Sequence, residues 1–286
     1  MIKFLLTAVL SSTLIISCAK KESDAVIDEP LDLSCRPEAN LLSNRIVGGT
    51  RVLQNQKDSS TVALIMYKAG KNKDGREQTG ICTGAMIAPK VMLTAAHCVP
   101  AAAKDTYVIF YSSISCESGY KPEKNVQKVV KVIPHENYTP IESGIIESEN
   151  DIAIIILEDK APANYPIYSI AVPTEIKDSS LFFYGYGVIG SNKHGMGILR
   201  KASFSKGDFT IHDSDKKVKV RQNAGKGICY GDSGGPGLVN VKTESQILGV
   251  NSFVSGPKTD MCNETSTLAL AHSYKEWIQK IVKQNK

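Results

Sequence analysis

Gly231-Asp232-Ser233-Gly234-Gly235-Pro236, two residues after Cys229, is the stretch on which the reading of the fold turns. Three glycines and a proline around one serine cannot continue a helix or a central strand, so the segment is expected to form a tight loop presenting the Ser233 hydroxyl. A Gly-rich Asp-Ser segment is also compatible with a plain turn. A free serine is a weak nucleophile, and chemistry at Ser233 needs a general base, a group that orients the base, and donors for an oxyanion. Those parts must come from elsewhere in the chain.

With 286 residues, 42% hydrophobic and 22% charged, the chain is long enough for one large domain or two small ones with a substantial core. The net charge is +5, and the basic residues are scattered, as at Lys216, Lys217 and Lys219. No Arg-rich or aromatic-interleaved stripe is present, which argues against a nucleic-acid partner. Lys3 precedes an apolar run over residues 4–16, relieved by Thr7, Ser11, Ser12 and Thr13. A run of that length favours an export signal over an anchor helix. Ile15-Ile16-Ser17-Cys18 also resembles the lipobox of bacterial lipoproteins, in which the cysteine is acylated and becomes the new N-terminus. Ile15 departs from the commoner Leu, and simple secretion is the alternative. The chain has seven cysteines; with Cys18 set aside, Cys35, Cys82, Cys98, Cys116, Cys229 and Cys262 remain. Six cysteines in an exported chain suggest up to three disulfides.

Residues 19–45 are polar and carry two prolines, the composition of a tether or pro-segment. Arg45 then precedes Ile46-Val47-Gly48-Gly49. This is either a turn into a strand or a processing site, where cleavage after Arg45 leaves a free ammonium on Ile46. Short apolar runs broken by Gly and Pro predict strands at 62–67, 81–94, 107–111, 126–133 and 152–157. A connector with Pro162 and Pro166 marks a boundary between halves, and strands follow at 181–184, 197–204, 217–221, 237–241 and 247–253. His97, in Thr94-Ala95-Ala96-His97-Cys98, is by itself either a satisfied structural residue or a base. Asp151 stands at the mouth of an apolar strand, where its carboxylate must find a donor. At the C-terminus Ser273 and Glu276 have capping-box spacing, and Tyr274, Trp277, Ile278, Ile281 and Val282 form one helical stripe. The chain therefore reads as mostly β with one terminal amphipathic helix.

Ile46-Val47-Gly48-Gly49, Thr94 to Cys98, Asp151-Ile152-Ala153-Ile154 and Gly231 to Pro236 occur in that order. Pro134-His135-Glu136-Asn137-Tyr138 lies ahead of Asp151, and Gly185-Tyr186-Gly187 lies between Asp151 and Ser233. From Ile46 to its end the chain resembles the trypsin and chymotrypsin-like serine peptidases. The order His, Asp, Ser separates it from the subtilisin and α/β-hydrolase arrangements of the same triad. The resemblance implies an all-β fold of two six-stranded antiparallel β-barrels with a C-terminal α-helix and an active site between the barrels. The expected organisation is a signal peptide over 1–18, a pro-segment or tether over 19–45, and a peptidase domain over 46–286. Within that domain the first barrel is expected over 46–160, the second over 161–272 and the helix over 273–286.

In this resemblance Ser233 is the nucleophile, His97 the base and Asp151 its orienter, with Ser252 hydrogen-bonded to the Asp. The N–H groups of Gly231 and Ser233 form the oxyanion hole. Cleavage after Arg45 frees an Ile46 ammonium that pairs with Asp232, so the protein is expected to be made as a zymogen. Cys82 pairs with Cys98 and Cys229 with Cys262, which leaves Cys35 to Cys116 as a link that retains the pro-segment. Gly227 falls at the pocket floor, followed by Ile228, and Val254 falls where many members carry Gly. A pocket without an acid and narrowed by Val254 implies cleavage after small or medium aliphatic residues, and activation at Arg45 by another, trypsin-like protease. The expected partners are protein or peptide substrates, with membrane attachment only through an acylated Cys18, and the protein is expected to be a monomer. No cofactor is expected and no zinc-ligand spacing is present, while a loop Ca²⁺ is left open. The alternatives are a silent homologue acting as a binding module, and an esterase using the same triad.

Overall fold

The computed structural model describes residues 31–37, 49–99, 103–140, 148–176, 178–190, 195–222, 227–257 and 261–285. All belong to one compact unit, Leu31–Lys286. Cys18, Arg45 and Ile46 lie outside the described residues.

The apolar runs of the first half form β2 (Ala63–Lys71), β3 (Glu77–Ala88), β4 (Val91–Thr94), β5 (Thr106–Ile109), β6 (Val126–Pro134) and β7 (Ala153–Leu157). They follow β1 (Thr50–Arg51) and close into an antiparallel barrel in the order β2-β3-β4-β7-β6-β5. The run predicted over 81–94 is two strands, because Pro89 and Lys90 turn the chain back. β7 lies between β4 and β6, and all five of its residues are buried. Burial on both faces explains its unbroken apolar composition. Each such aliphatic side chain contributes roughly 1.5–3 kcal/mol.

The second half comprises β8 (Leu181–Gly185), β9 (Arg200–Phe204), β10 (Phe209–His212), β11 (Lys217–Arg221), β12 (Pro236–Val241), β13 (Glu244–Ser255) and β14 (Thr265–Leu270). These form a sheet in the order β1-β9-β8-β12-β13-β14-β11-β10. The fold is the chymotrypsin-like two-barrel arrangement, with the first barrel closed and the second present as a half-barrel. Thr50 and Arg51 pair with Lys201 and Arg200, so the start of the domain is joined to the second sheet. The bridges are Cys35–Cys116, Cys82–Cys98 and Cys229–Cys262. The first holds residues 31–37 on the body, where the Tyr120 hydroxyl also donates to Leu33 O. The last helix, Lys275–Gln284, follows a short helix α1 (Pro122–Asn125) in chain order and is named α2. It buries Ile278 and Ile281 against the core that includes β2 and β7. The capping box expected at Ser273 does not form. A 3₁₀ turn over Ala271–Tyr274 runs straight into α2, so Tyr274 occupies the cap position without a side-chain bond.

Candidate active site

β4 ends at Thr94 and the chain turns at once through Ala95 and the 3₁₀ turn Ala96–Cys98, which carries His97. Ala95 and Ala96 are buried, and Cys82–Cys98 fastens the turn to β3. Asp151 sits two residues ahead of β7, the strand hydrogen-bonded to β4, so the ladder brings it beside the turn. Its Oδ1 accepts the His97 backbone N–H at 3.0 Å, and its Oδ2 accepts from His97 Nδ1 at 2.8 Å. A neutral imidazole that donates through Nδ1 keeps its lone pair on Nε2.

Ser252 gives Asp151 a third donor. The β13–β14 register shifts between Asn251 and Phe253. The irregularity frees Ser252, and a bulge of this kind re-aims a side chain. Its Oγ–H donates to Asp151 Oδ2 at 2.5 Å, and Ser148 Oγ lies 2.9 Å from Ser252 Oγ. Because the Ser252 proton is engaged with the carboxylate, Ser148 is the donor of that pair. Asp151 is 2% exposed. Burial alone would raise its pKa, but the hydrogen bonds and charge of His97 and the Ser252 hydroxyl hold it below the ordinary carboxylate value.

The Gly231–Pro236 loop faces this pair from the second half. Gly231 and Gly234 have φ of +94° and +78°, in the left-handed region that only glycine enters freely. At Gly234 a Cβ would also meet Thr94 Oγ1 at 2.0 Å and Thr83 O at 2.5 Å. The loop is tied across the interface by Thr83 of β3. Its Oγ1–H donates to Gly231 O at 3.0 Å, its N–H donates to Ser233 O at 2.8 Å, and its Oγ1 accepts the Tyr186 N–H at 3.2 Å. From β13, Asn251 Nδ2 donates to Asp232 O at 3.0 Å. Among the described residues the N–H groups of Gly231 and Ser233 donate to no other group. Two unused donors on one turn, one of them on a buried residue, are suited to an anion formed during reaction.

His97, Asp151, Ser233, Ser252, Ile228, Val254, Ser266 and Tyr138 are among the residues that line one cavity of about 400 Å³. Gly227 is buried but is not part of that lining. A Cβ at Gly227 would lie 2.6 Å from the Gln222 side chain. Gln222, 1% exposed, donates from Nε2 to Ile228 O at 3.2 Å and to Cys262 O at 3.0 Å, and its Oε1 accepts the Ile228 N–H. Gln222 therefore braces the end of the cavity, and no residue pattern in the sequence marks it. Ser266 was legible only from strand register, where it pairs with Val254. Cys82 and Cys98 place sulfurs close to His97, but the two are bonded to each other and offer no thiolate.

The family model that matches this chain is "Trypsin", over residues 46–278. Chymotrypsin-like elastase family member 1 of Canis lupus familiaris is 28% identical over 87% of this chain and 95% of the relative. The Homo sapiens protein of the same description is 27% identical, with the same coverage. Serine protease SP24D of Anopheles gambiae is 26% identical over 84% of this chain and 82% of its own. With the two-barrel fold and the cleft between its halves already described, these matches establish that the chain belongs to the trypsin family and is a chymotrypsin-like serine endopeptidase.

Proposed function

We propose that the protein hydrolyses peptide bonds through Ser233, His97 and Asp151 by way of an acyl-enzyme. In this reading Ser233 Oγ attacks the scissile carbonyl and His97 Nε2 takes its proton. The Gly231 and Ser233 N–H groups hold the oxyanion. His97 then returns the proton to the leaving amine, and water repeats the sequence to release the acyl group. Asp151 holds the Nδ1–H tautomer and balances the imidazolium. The observation that carries the reading is the cavity shared by His97 and Ser233, with Asp151 bonded to both the ring and the backbone of His97. Peptide hydrolysis by purified protein tests it: Ser233→Ala should lower kcat by about 10⁵-fold or more with the fold intact. Undiminished turnover would reject it.

Cleavage after small or medium aliphatic residues is supported by the apolar walls Ile228 and Val254 and by the absence, among the described residues of the cavity's lining, of a carboxylate other than Asp151. Val254→Gly should then improve cleavage after Phe relative to Ala by about tenfold, in a panel of otherwise identical peptides. Export under the signal of residues 1–18, with acylation at Cys18, fits a chain carrying three disulfides. The reading also keeps residues 19–45 as a pro-segment and 46–286 as the peptidase domain, acting as a monomer. Cleavage after Arg45 by a trypsin-like protease, pairing Ile46 with Asp232, completes the scheme. Its support is that Asp232 is buried and its carboxyl is pushed up to about 6 by that burial, so an added cation would stabilise its charged form.

A further inference from the structure

Gln222, the residue after β11, is 1% exposed, and its whole amide is in use. Its Oε1 accepts the Ile228 N–H, and its Nε2 donates to Ile228 O at 3.2 Å and to Cys262 O at 3.0 Å. An amide that takes the N–H and serves the carbonyl of one residue does for Ile228 what a facing peptide does in an antiparallel ladder. Among the described residues nothing else bonds the Ile228 backbone. The third bond reaches Cys262, so the amide spans the same two runs that Cys229–Cys262 joins. The backbone N–H of Gln222 donates to Glu264 O at 2.7 Å, which fixes the amide's own base.

The residue type and its neighbour are both dictated by this contact. Asparagine is one methylene shorter, and a glutamate carboxylate could accept from Ile228 but has no hydrogen for the two carbonyls. At Gly227 a Cβ would fall 2.6 Å from Gln222 Cδ and Oε1 and 2.9 Å from Nε2. The amide thus occupies the space a side chain at 227 would need. Ile228 and Val254 are both walls of the active-site cavity. Val254 packs on the cluster that contains Ile228 and on the one that contains Cys229 and Cys262. Where the Ile228 wall stands is therefore set by a side-chain amide rather than by a strand.

We propose that Gln222 is a specificity-determining residue: by pinning the Ile228 backbone it fixes that wall and so limits the side chain the cavity accepts, with Gly227 left bare to admit the amide. The inference rests on the reading of this cavity as a site for small or medium aliphatic side chains and names the group that enforces the limit. Gln222 acts through Ile228 and does not touch substrate.

The test measures kcat/KM of the active protein on peptides identical except for Ala, Leu, Phe or Arg at the cleaved residue. Gln222→Met keeps the length of the side chain and removes all three amide bonds. We expect it to raise the ratio of Leu to Ala cleavage by about tenfold, with Ala cleavage held within about threefold. Gly227→Ala adds one carbon that displaces the amide, and should shift the ratio in the same direction. The double variant should lie within about twofold of the larger single shift, because both changes break one contact. If Gln222→Met fails to fold, Gly227→Ala decides: a raised ratio supports the proposal and an unchanged one overturns it. A Gln222→Met protein that loses Ala and Leu cleavage equally overturns it, since the amide would then only stabilise the fold. Additive shifts would assign the two residues to separate contacts and also overturn it. Each of these failures leaves the aliphatic preference standing. A wild type that cleaves after Phe or Arg better than after Ala overturns both.

Discussion

The two sides of the cleft are held together by different means. On the first-barrel side, His97 and Asp151 sit at the ends of hydrogen-bonded neighbours β4 and β7 in a closed barrel, and a backbone N–H as well as a ring nitrogen meets the carboxylate. On the other side, the Gly231–Ser233 turn belongs to a sheet that does not close, and side chains add to its backbone bonds: Thr83, Asn251, and Arg200 through Gly187. His97 and Asp151 are set by strand pairing, which one substitution scarcely moves. The Gly231–Ser233 turn has backbone bonds of its own but depends in addition on a few side-chain contacts, each of which one substitution removes.

Apart from loss of Ser233 itself, the largest effect should come from the fixed side. Asp151→Asn leaves the ladder intact but presents an amide to His97 and so favours the wrong tautomer. We expect kcat to fall by about 10⁴-fold with an unchanged thermal midpoint within a few degrees. A loss under tenfold would mean that the carboxylate does not orient the ring.

The second effect separates the two buried aspartates by pH. Asp232 has its folded pKa raised to about 6 from 3.8, so between those values the folded state binds a proton that the unfolded state has lost. Stability contributed by this group therefore falls as pH rises through that window, by about 3 kcal/mol in all. Asp151 has a lowered pKa, so its contribution is full above 3.8 and is lost as pH falls below that value. Denaturant midpoints measured from pH 4 to 7 should show the wild type losing stability relative to Asp232→Asn. The opposite slope would contradict the burial of an under-compensated Asp232.

The smallest effect sharpens the contrast. Thr83→Val removes the hydroxyl that serves both Gly231 O and the Tyr186 N–H, leaving each without that partner. About 1–3 kcal/mol is at stake, and we expect kcat to fall about tenfold with little change in KM. Thr94→Val, which loses only the bond from Thr94 Oγ1 to Thr83 O, should lower stability and spare kcat. If Thr94→Val slowed turnover as much as Thr83→Val, the two sides would not differ as described.

The sequence made much of this arrangement legible because its signals are local. Glycines around Ser233 announced a tight loop, and the uninterrupted apolar run after Asp151 announced a strand buried on both faces. β14 was missed because Thr265, Ser266 and Thr267 read as polar, although Ser266 walls the cavity and Thr267 is buried. β1 was missed because two residues have no periodicity; only pairing with β9 makes them a strand. Thr83 and Ser148 meet their partners across 148 and 104 residues of chain, and Arg200 and Asp232 each bond to Gly187. A hydroxyl or a guanidinium in the sequence carries no mark of a partner so distant. The terminal helix shows the converse: Ser273 and Glu276 have the right spacing, but the preceding 3₁₀ turn removes the need for a cap.

The central claim is that Ser233 is a nucleophile activated by His97 and Asp151. It is tested most directly by reacting the folded protein with an organofluorophosphate and determining intact and peptide masses. The account predicts a single adduct on Ser233, strongly slowed in His97→Ala and absent in Ser233→Ala. A folded, peptide-hydrolysing protein that forms no adduct, or forms it on another residue, would contradict it.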